Sequence, residues 1–216
     1  MGTIVYKLRD SLYLNLTNRC TNNCAFCIRS FGDDLLSYNL KLDREPTVEE
    51  ILSVINLKMN QIPSSEIVFC GYGEPLIRLD TVLTISRELK QKYPEVKVRV
   101  DTNGQASFLH PNRNVVNELK QNGVDRMSIS LNAPDRETYA WICKPSYGLA
   151  AYSIVIQFIK ACKSEDLETE VTIVAIPQLD IAACKKVAQE LGVPLRIRPY
   201  RMSTTILAKR LGASTP

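Results

Sequence analysis

A single histidine, His110, serves the whole 216-residue chain. No second imidazole is at hand to complete a zinc site, and a lone His in a polar loop reads as a solvated residue. Also missing is any basic block: Lys and Arg are spread along the chain among Asp and Glu, and the formal charge is only +4. Composition therefore gives no argument for nucleic-acid binding. Residues 1–9 carry charges without an apolar core, and no apolar run is long enough to span a bilayer. A cytoplasmic protein with no membrane partner is the expectation. Repeats and low-complexity tracts are absent.

What is present suffices for one sizeable core, with 45% hydrophobic residues in 216. We expect a single domain over 1–216, with its core at about 10–200 and a short, disordered tail at 201–216. Short β-rich runs at 12–16, 66–70, 96–101, 126–131, 170–176 and 195–200 alternate with helical segments. The first helix starts at Thr47, where Glu50 completes a capping box and Val48, Ile51, Leu52 and Ile55 share one face. Later helices are expected at 80–92, 114–122, 149–163 and 181–191, with Gly123 and Gly192 as stops. Strand–helix units in series predict an α/β fold: a partial (β/α)6 TIM-like barrel, since eight units need about 250 residues to close. In such a barrel the chemistry collects in the loops after the strands.

Of seven cysteines, Cys20, Cys24 and Cys27 lie together directly after the first strand, with three and then two residues between them. In an intracellular chain such clustering signals metal ligation more than disulfides. Soft thiolates select an iron–sulfur cluster or zinc, but zinc normally takes a fourth Cys or His nearby, and none is close in sequence. Three thiolates would leave one iron open. The competing readings are core cysteines, a zinc-stabilised binding module, and a non-catalytic iron–sulfur electron carrier or redox sensor. A carrier normally closes its cluster with four protein ligands.

With the aromatic Phe26 before the last cysteine, this motif resembles the signature of the radical S-adenosylmethionine (SAM) superfamily. The resemblance implies the radical SAM core fold and a 4Fe-4S cluster held by Cys20, Cys24 and Cys27, with its open iron chelated by SAM. It further implies an electron donor such as flavodoxin or ferredoxin, and a 5'-deoxyadenosyl radical that abstracts hydrogen from a substrate. Gly71, Tyr72, Gly73, Glu74 and Pro75 are similar to the family element assigned to the SAM amino group. Ser130 and Asn132 fall in a run similar to one that meets the ribose, Asn103 fits a family pattern after the third strand, and Ile176 stands where others pack on the adenine. Arg136, Lys144, Arg198 and Arg201 are the cations open to the SAM carboxylate, and Tyr200 lies beside the last of these. The run 139–145 resembles short radical SAM proteins associated with TatD-family nucleases, which implies such an association but no substrate. On residue chemistry alone, 71–75 is a Gly-Pro turn, 103–104 a turn signal, and 132–135 a strand end.

Strand alternation sorts the interior of the barrel. With Val96, Val98, Val100, Met127, Ile129 and Leu131 packed on helices, the inward set comprises Asn15, Thr17, Lys97, Arg99, Asp101, Arg126, Ser128, Ser130, Arg196, Arg198 and Tyr200. Asp101 and Glu170 pair only some of these cations, so an anionic substrate near Arg99 and Arg198 is expected. Residues 28–46, with Asp33 and Asp34, are too long for an ordinary connection and predict a lid over the cysteines. A mouth left open admits a small anion, a polypeptide or a nucleic acid. Cys143, in the loop after the fourth strand, is a candidate catalytic thiol, whereas Cys70, Cys162 and Cys184 read as core.

Overall fold

The computed structural model describes residues 2–212 apart from 33, 36, 201 and 202. In chain order the strands are β1 (Val5–Leu8), β2 (Ser11–Leu14), β3 (Asp34–Leu35), β4 (Tyr38–Asn39), β5 (Glu66–Phe69), β6 (Lys97–Thr102), β7 (Arg126–Ser130), β8 (Glu168–Ala175) and β9 (Leu195–Pro199). The helices are α1 (Val48–Gln61), α2 (Leu79–Lys92), α3 (Ala106–Leu109), α4 (Val115–Gln121), α5 (Arg136–Cys143), α6 (Ala150–Ser164), α7 (Ile181–Leu191) and α8 (Thr204–Leu211).

Seven strands form one sheet in the order β1-β2-β5-β6-β7-β8-β9, parallel from β2 onward, with β1 antiparallel at the edge. Each parallel step is bridged by a helix, as parallel pairing demands. The expected six strands and five helices are present. The curl of the sheet brings Arg198 on β9 within electrostatic reach of Asp101 on β6 and of Cys70 after β5. This is the half-barrel expected from the sequence.

Local chemistry sets the helix ends. Thr47 and Glu50 form the capping box of α1; Asn114, Asp180 and Ser203 cap α4, α7 and α8; and Gly192 closes α7 with φ of 64°. The outward faces of β6 and β7 bury Val98, Val100, Met127 and Ile129 completely against helix residues such as Leu89, Leu119, Val155 and Ile159. Burying one such side chain contributes about 1.5–3 kcal/mol.

Two expectations are corrected. Residues 203–212 are ordered as α8, because Ser203 caps the helix, Leu207 and Leu211 share one face and are buried, and Gly212 ends it. Segment 28–46 is not a free lid either. Its later part carries the β3–β4 hairpin and is fastened beside β1 and β2: Asn15 Nδ2 donates to the Leu40 carbonyl (2.6 Å), Asn18 bonds both backbone groups of Leu42, and Leu40 and Leu42 are buried. Asp33 lies outside the described residues.

Inside the barrel, the arginines meet carboxylates. Arg99 lies 3.2 Å from Asp101 and 3.6 Å from Glu66, Arg126 is 2.8 Å from Glu168, and Arg196 is 2.9 Å from Glu170. Ser128 joins the last pair. The excess of unpaired interior arginine expected from the sequence is therefore corrected: Glu66 and Glu168, at the entry ends of their strands, supply the missing acids. Lys97 is exposed and pairs with Asp125.

Candidate functional site

The cysteines occupy the loop that follows β2. Its outer limb is fixed by Thr17, which donates to Glu45 and accepts from the Arg19 backbone, while Arg19 also pairs with Glu45. Its inner limb is strapped to the end of α5: Asn23 N donates to the Cys143 carbonyl (3.0 Å) and Ala25 N to the Ile142 carbonyl (2.8 Å). A buried polar knot completes the anchoring, with Asn22 Nδ2 donating to Tyr139 Oη (3.0 Å) and Gln105 Nε2 to both Asn22 and Tyr139. These connected polar groups favour one loop geometry, with Gln105 Oε1 left buried without a partner.

The segment after β5 packs directly under this loop. A Cβ on Gly71 would lie 2.2 Å from Asn15 Oδ1, and one on Gly73 would lie 2.3 Å from the Arg19 carbonyl. Tyr72 N donates to Asn15 Oδ1 and Glu74 N to the Arg19 carbonyl. The glycines thus permit contact with the cysteine-bearing chain, a reason in addition to ligand access. Glu74 is buried, and its carboxylate accepts from Leu76 N, Thr102 Oγ1 and Asn103 N at 2.7–3.0 Å. Burial pushes its carboxyl up to about 7 although these three donors pull the other way. It joins the ends of β5 and β6, and every donor on it is the protein's own. Pro75 is buried and starts the short 3-10 turn Pro75–Arg78.

From β6, Asn103 Nδ2 donates to Thr21 Oγ1 (2.8 Å) and lies 3.8 Å from Cys20 Sγ. From β7, Ser130 is half-buried and inward, and Asn132 is buried with φ of 57°. Asn132 Nδ2 lies 3.6 Å from Cys143 Sγ, and its Oδ1 is buried without a partner. Ile176 is buried at the end of β8, and Phe26 packs on the core. Arg198 is exposed, and among the described residues it makes no ion pair; the half-buried Tyr200 donates from Oη to the Ser203 carbonyl. His110 is bonded to the Leu76 carbonyl (2.8 Å) and is not simply solvated.

Cys143 is corrected in place: it closes α5, is fully buried, and its thiol stands close enough to that of Cys24 to act on it. Two sequence candidates for a carboxylate partner are committed elsewhere. Arg136 is exposed and pairs with Glu137, and Lys144 caps α5 and donates to the Arg210 carbonyl. Arg201 lies outside the described residues. Two arginines that the sequence did not single out stand at the cysteines instead. Arg29 follows Cys27 by two positions and lies near Cys20 and Cys27; Arg210, from α8, lies near Cys27. The signal for Arg29 was only its closeness in sequence to the motif.

Burial pushes the Cys20 thiol up to about 12 and raises that of Cys27, while the neighbouring Cys143 thiol, together with burial, holds Cys24 well above the ordinary range. Both arginines counter this at Cys27, and Arg29 does so at Cys20. Cys24 is near enough to act on both other thiols. Among the described residues no three His, Cys, Asp or Glu side chains gather around one point as a single metal ion requires. A set of three soft donors on one loop, with cations beside them, fits a multi-iron cluster, whose thiolates are spread over separate irons.

Comparison with known proteins decides the family. The Radical SAM superfamily model matches residues 14–191, from the end of β2 to the end of α7. The chain belongs to the radical SAM superfamily. A GTP 3',8-cyclase of Paenarthrobacter nicotinovorans is 29% identical over 126 residues, 58% of this chain and 32% of its own. The FeMo cofactor biosynthesis protein NifB of Methanocaldococcus jannaschii is 26% identical over 201 residues, 86% of this chain and 65% of its own. This chain thus spans between about a third and two thirds of these relatives. Among solved structures, native anSMEcpe with bound AdoMet superposes with a TM-score of 0.65 at 18% identity, covering 88% of this chain and 50% of that one. HydG from Carboxydothermus hydrogenoformans gives 0.61 at 14% identity, covering 93% and 49%. These two likenesses concern the fold. Radical SAM proteins use a 4Fe-4S cluster and SAM, which are the cofactors expected from the cysteine motif. Among the described residues no helix is long and apolar enough to cross a membrane.

Proposed function

We propose that this chain is a radical SAM enzyme in which Cys20, Cys24 and Cys27 ligate the cluster and leave one iron for SAM. The observation that carries the reading is the single loop of three thiols, clamped between the end of α5 and the Gly71–Gly73 segment. Held by Cys20, Cys24 and Cys27, a reduced cluster would supply the electron for reductive cleavage of SAM and, through it, radical hydrogen abstraction from the substrate.

The chain's own residues bind and shield. Backbone carbonyls of 71–73 accept from the SAM ammonium, Ser130 and the unpartnered Asn132 Oδ1 meet the ribose, and Ile176 offers an apolar surface to the adenine. Glu74 and Asn103 position the loops rather than the chemistry. A primary radical needs a site closed to water, and the half-barrel wall supplies it. With the deeper arginines paired, Arg198, which makes no ion pair among the described residues, is the cation offered to a negatively charged substrate, whether a small molecule, a polypeptide or a nucleic acid. The electron comes from a flavodoxin or ferredoxin.

Anaerobic reconstitution with iron and sulfide tests the cluster. Wild type is expected to take up iron and sulfide in equal amounts and, once reduced, to give an electron paramagnetic resonance signal that SAM perturbs. Cys24→Ala is expected to lose the signal; a signal equal to wild type in that variant refutes the ligand assignment.

A further inference from the structure

The end of α5 and the cysteine loop run side by side. Asn23 N donates to the Cys143 carbonyl (3.0 Å) and Ala25 N to the Ile142 carbonyl (2.8 Å), so Cys24 is held between two backbone bonds alongside Cys143. The Cys143 thiol stands close enough to that of Cys24 to act on it. Cys143 is fully buried and lies outside the three-cysteine motif.

The hydrogen bonding of this thiol has a direction. A thiol buried among apolar groups keeps its proton and is both a weak donor and a weak acceptor. Asn132 Nδ2 donates to Cys143 Sγ at 3.6 Å, which uses the sulfur as an acceptor and leaves its S–H to be placed elsewhere. The Cys24 sulfur is beside it. Once Cys24 ligates iron it has lost its proton and can only accept, so a hydrogen between these two sulfurs runs from Cys143 to Cys24.

Cys20 is served by nitrogen donors instead. Asn22 N lies 3.4 Å and Asn103 Nδ2 3.8 Å from its Sγ. The Asn22 side chain also acts on Cys24, although its Nδ2 is shared with Tyr139 Oη at 3.0 Å. Hydrogen bonds to ligand sulfurs stabilise the added negative charge of a reduced cluster and so raise its reduction potential.

We infer that Cys143 is a positioning residue whose S–H donates to the Cys24 sulfur of the loaded protein and holds the reduction potential of the cluster up. The assignment rests on the reading that Cys20, Cys24 and Cys27 hold a 4Fe-4S cluster.

The test is a potentiometric titration of reconstituted, SAM-free protein followed by electron paramagnetic resonance, with iron and sulfide content measured alongside. Cys143→Ala removes the donor, and Cys143→Ser keeps one in the same place. At a fixed potential the alanine variant is expected to show about tenfold less reduced cluster relative to oxidised, a midpoint about 59 mV lower for a one-electron couple, as the loss of one hydrogen bond implies. The serine variant should stay nearer to wild type. An alanine midpoint equal to that of wild type, or a serine midpoint displaced as far as that of alanine, overturns the assignment and leaves Cys143 as a packing residue. If the alanine variant does not hold a cluster, infrared difference spectra of loaded wild type against Cys143→Ser decide. The assignment requires an S–H band that is lost in the serine variant and lies below the wavenumber of a free thiol; a band at the free-thiol position overturns it. A wild type that assembles no four-iron cluster overturns the functional reading and this assignment with it.

Discussion

Arg210 donates from Nη2 to the Cys24 carbonyl at 3.3 Å and to Asn23 Oδ1 at 2.8 Å, tying α8 to a loop that begins the site 186 residues earlier. Trp141 Nε1 reinforces the docking by donating to the Leu211 carbonyl at 3.0 Å. Arg210→Ala is therefore expected to lower stability by about 1 kcal/mol, the net value of such bonds at a partly exposed site. It should also loosen the loop, read as faster amide exchange at residues 23–25 and faster cluster loss in air. Unchanged exchange there would show that the helix merely rests on the loop.

The glycine contacts lead to a second expectation. Gly73→Ala places a methyl group 2.3 Å from the Arg19 carbonyl and 2.5 Å from that of Thr17, and backbone on both sides leaves little room to yield. Overpacking of this kind costs about 1–3 kcal/mol. Thermal unfolding should register that loss, and reconstituted iron content should fall because the displaced chain carries Cys20.

Glu74 predicts a pH dependence. Its folded carboxyl sits at about 7 against an ordinary 4.5, so below 4.5 both folded and unfolded chains hold the proton. Between these values the unfolded chain ionises first, and stability falls as pH rises, levelling off above 7. Chemical denaturation from pH 4 to 8 on wild type and Glu74→Gln checks this. The variant should lack that component, while being less stable throughout because an amide cannot accept from all three donors.

Arg99 separates a structural interior from a substrate-binding one. Its side chain is 10% exposed and lies between Glu66 and Asp101, so Arg99→Ala leaves two acids facing each other and is expected to cost about 3 kcal/mol or more. Arg198→Ala, at an exposed position, should leave stability within about 0.5 kcal/mol. Equal effects of the two changes on unfolding would contradict the division drawn here.

Much of this was legible in the sequence because the signals were local. Strands rich in Val and Ile with polar alternation gave six of the seven main-sheet strands, and Thr47, Asn114 and Gly192 marked helix ends that the structure keeps. The three-cysteine motif gave the family. What was not legible depended on distant partners. The edge strand β1 carries Lys7 and is flanked by Arg9, so its charges hid two buried residues, Val5 and Tyr6. Cys143 looked like a loop residue until α5 formed, and Glu66 and Glu168 could be matched to Arg99 and Arg126 only through the strand register. Residues 203–212 carried a Ser cap and a Gly stop, yet the helix has meaning only through Trp141 and Cys24, to which it docks.

The most direct test of the central claim is product formation by reconstituted, dithionite-reduced protein given SAM under anaerobic conditions, with 5'-deoxyadenosine and methionine measured against Cys24→Ala. Wild type is expected to release both in equal amounts and the variant neither. Zinc uptake with no cluster in wild type, or a four-iron cluster that leaves SAM intact, would contradict the account.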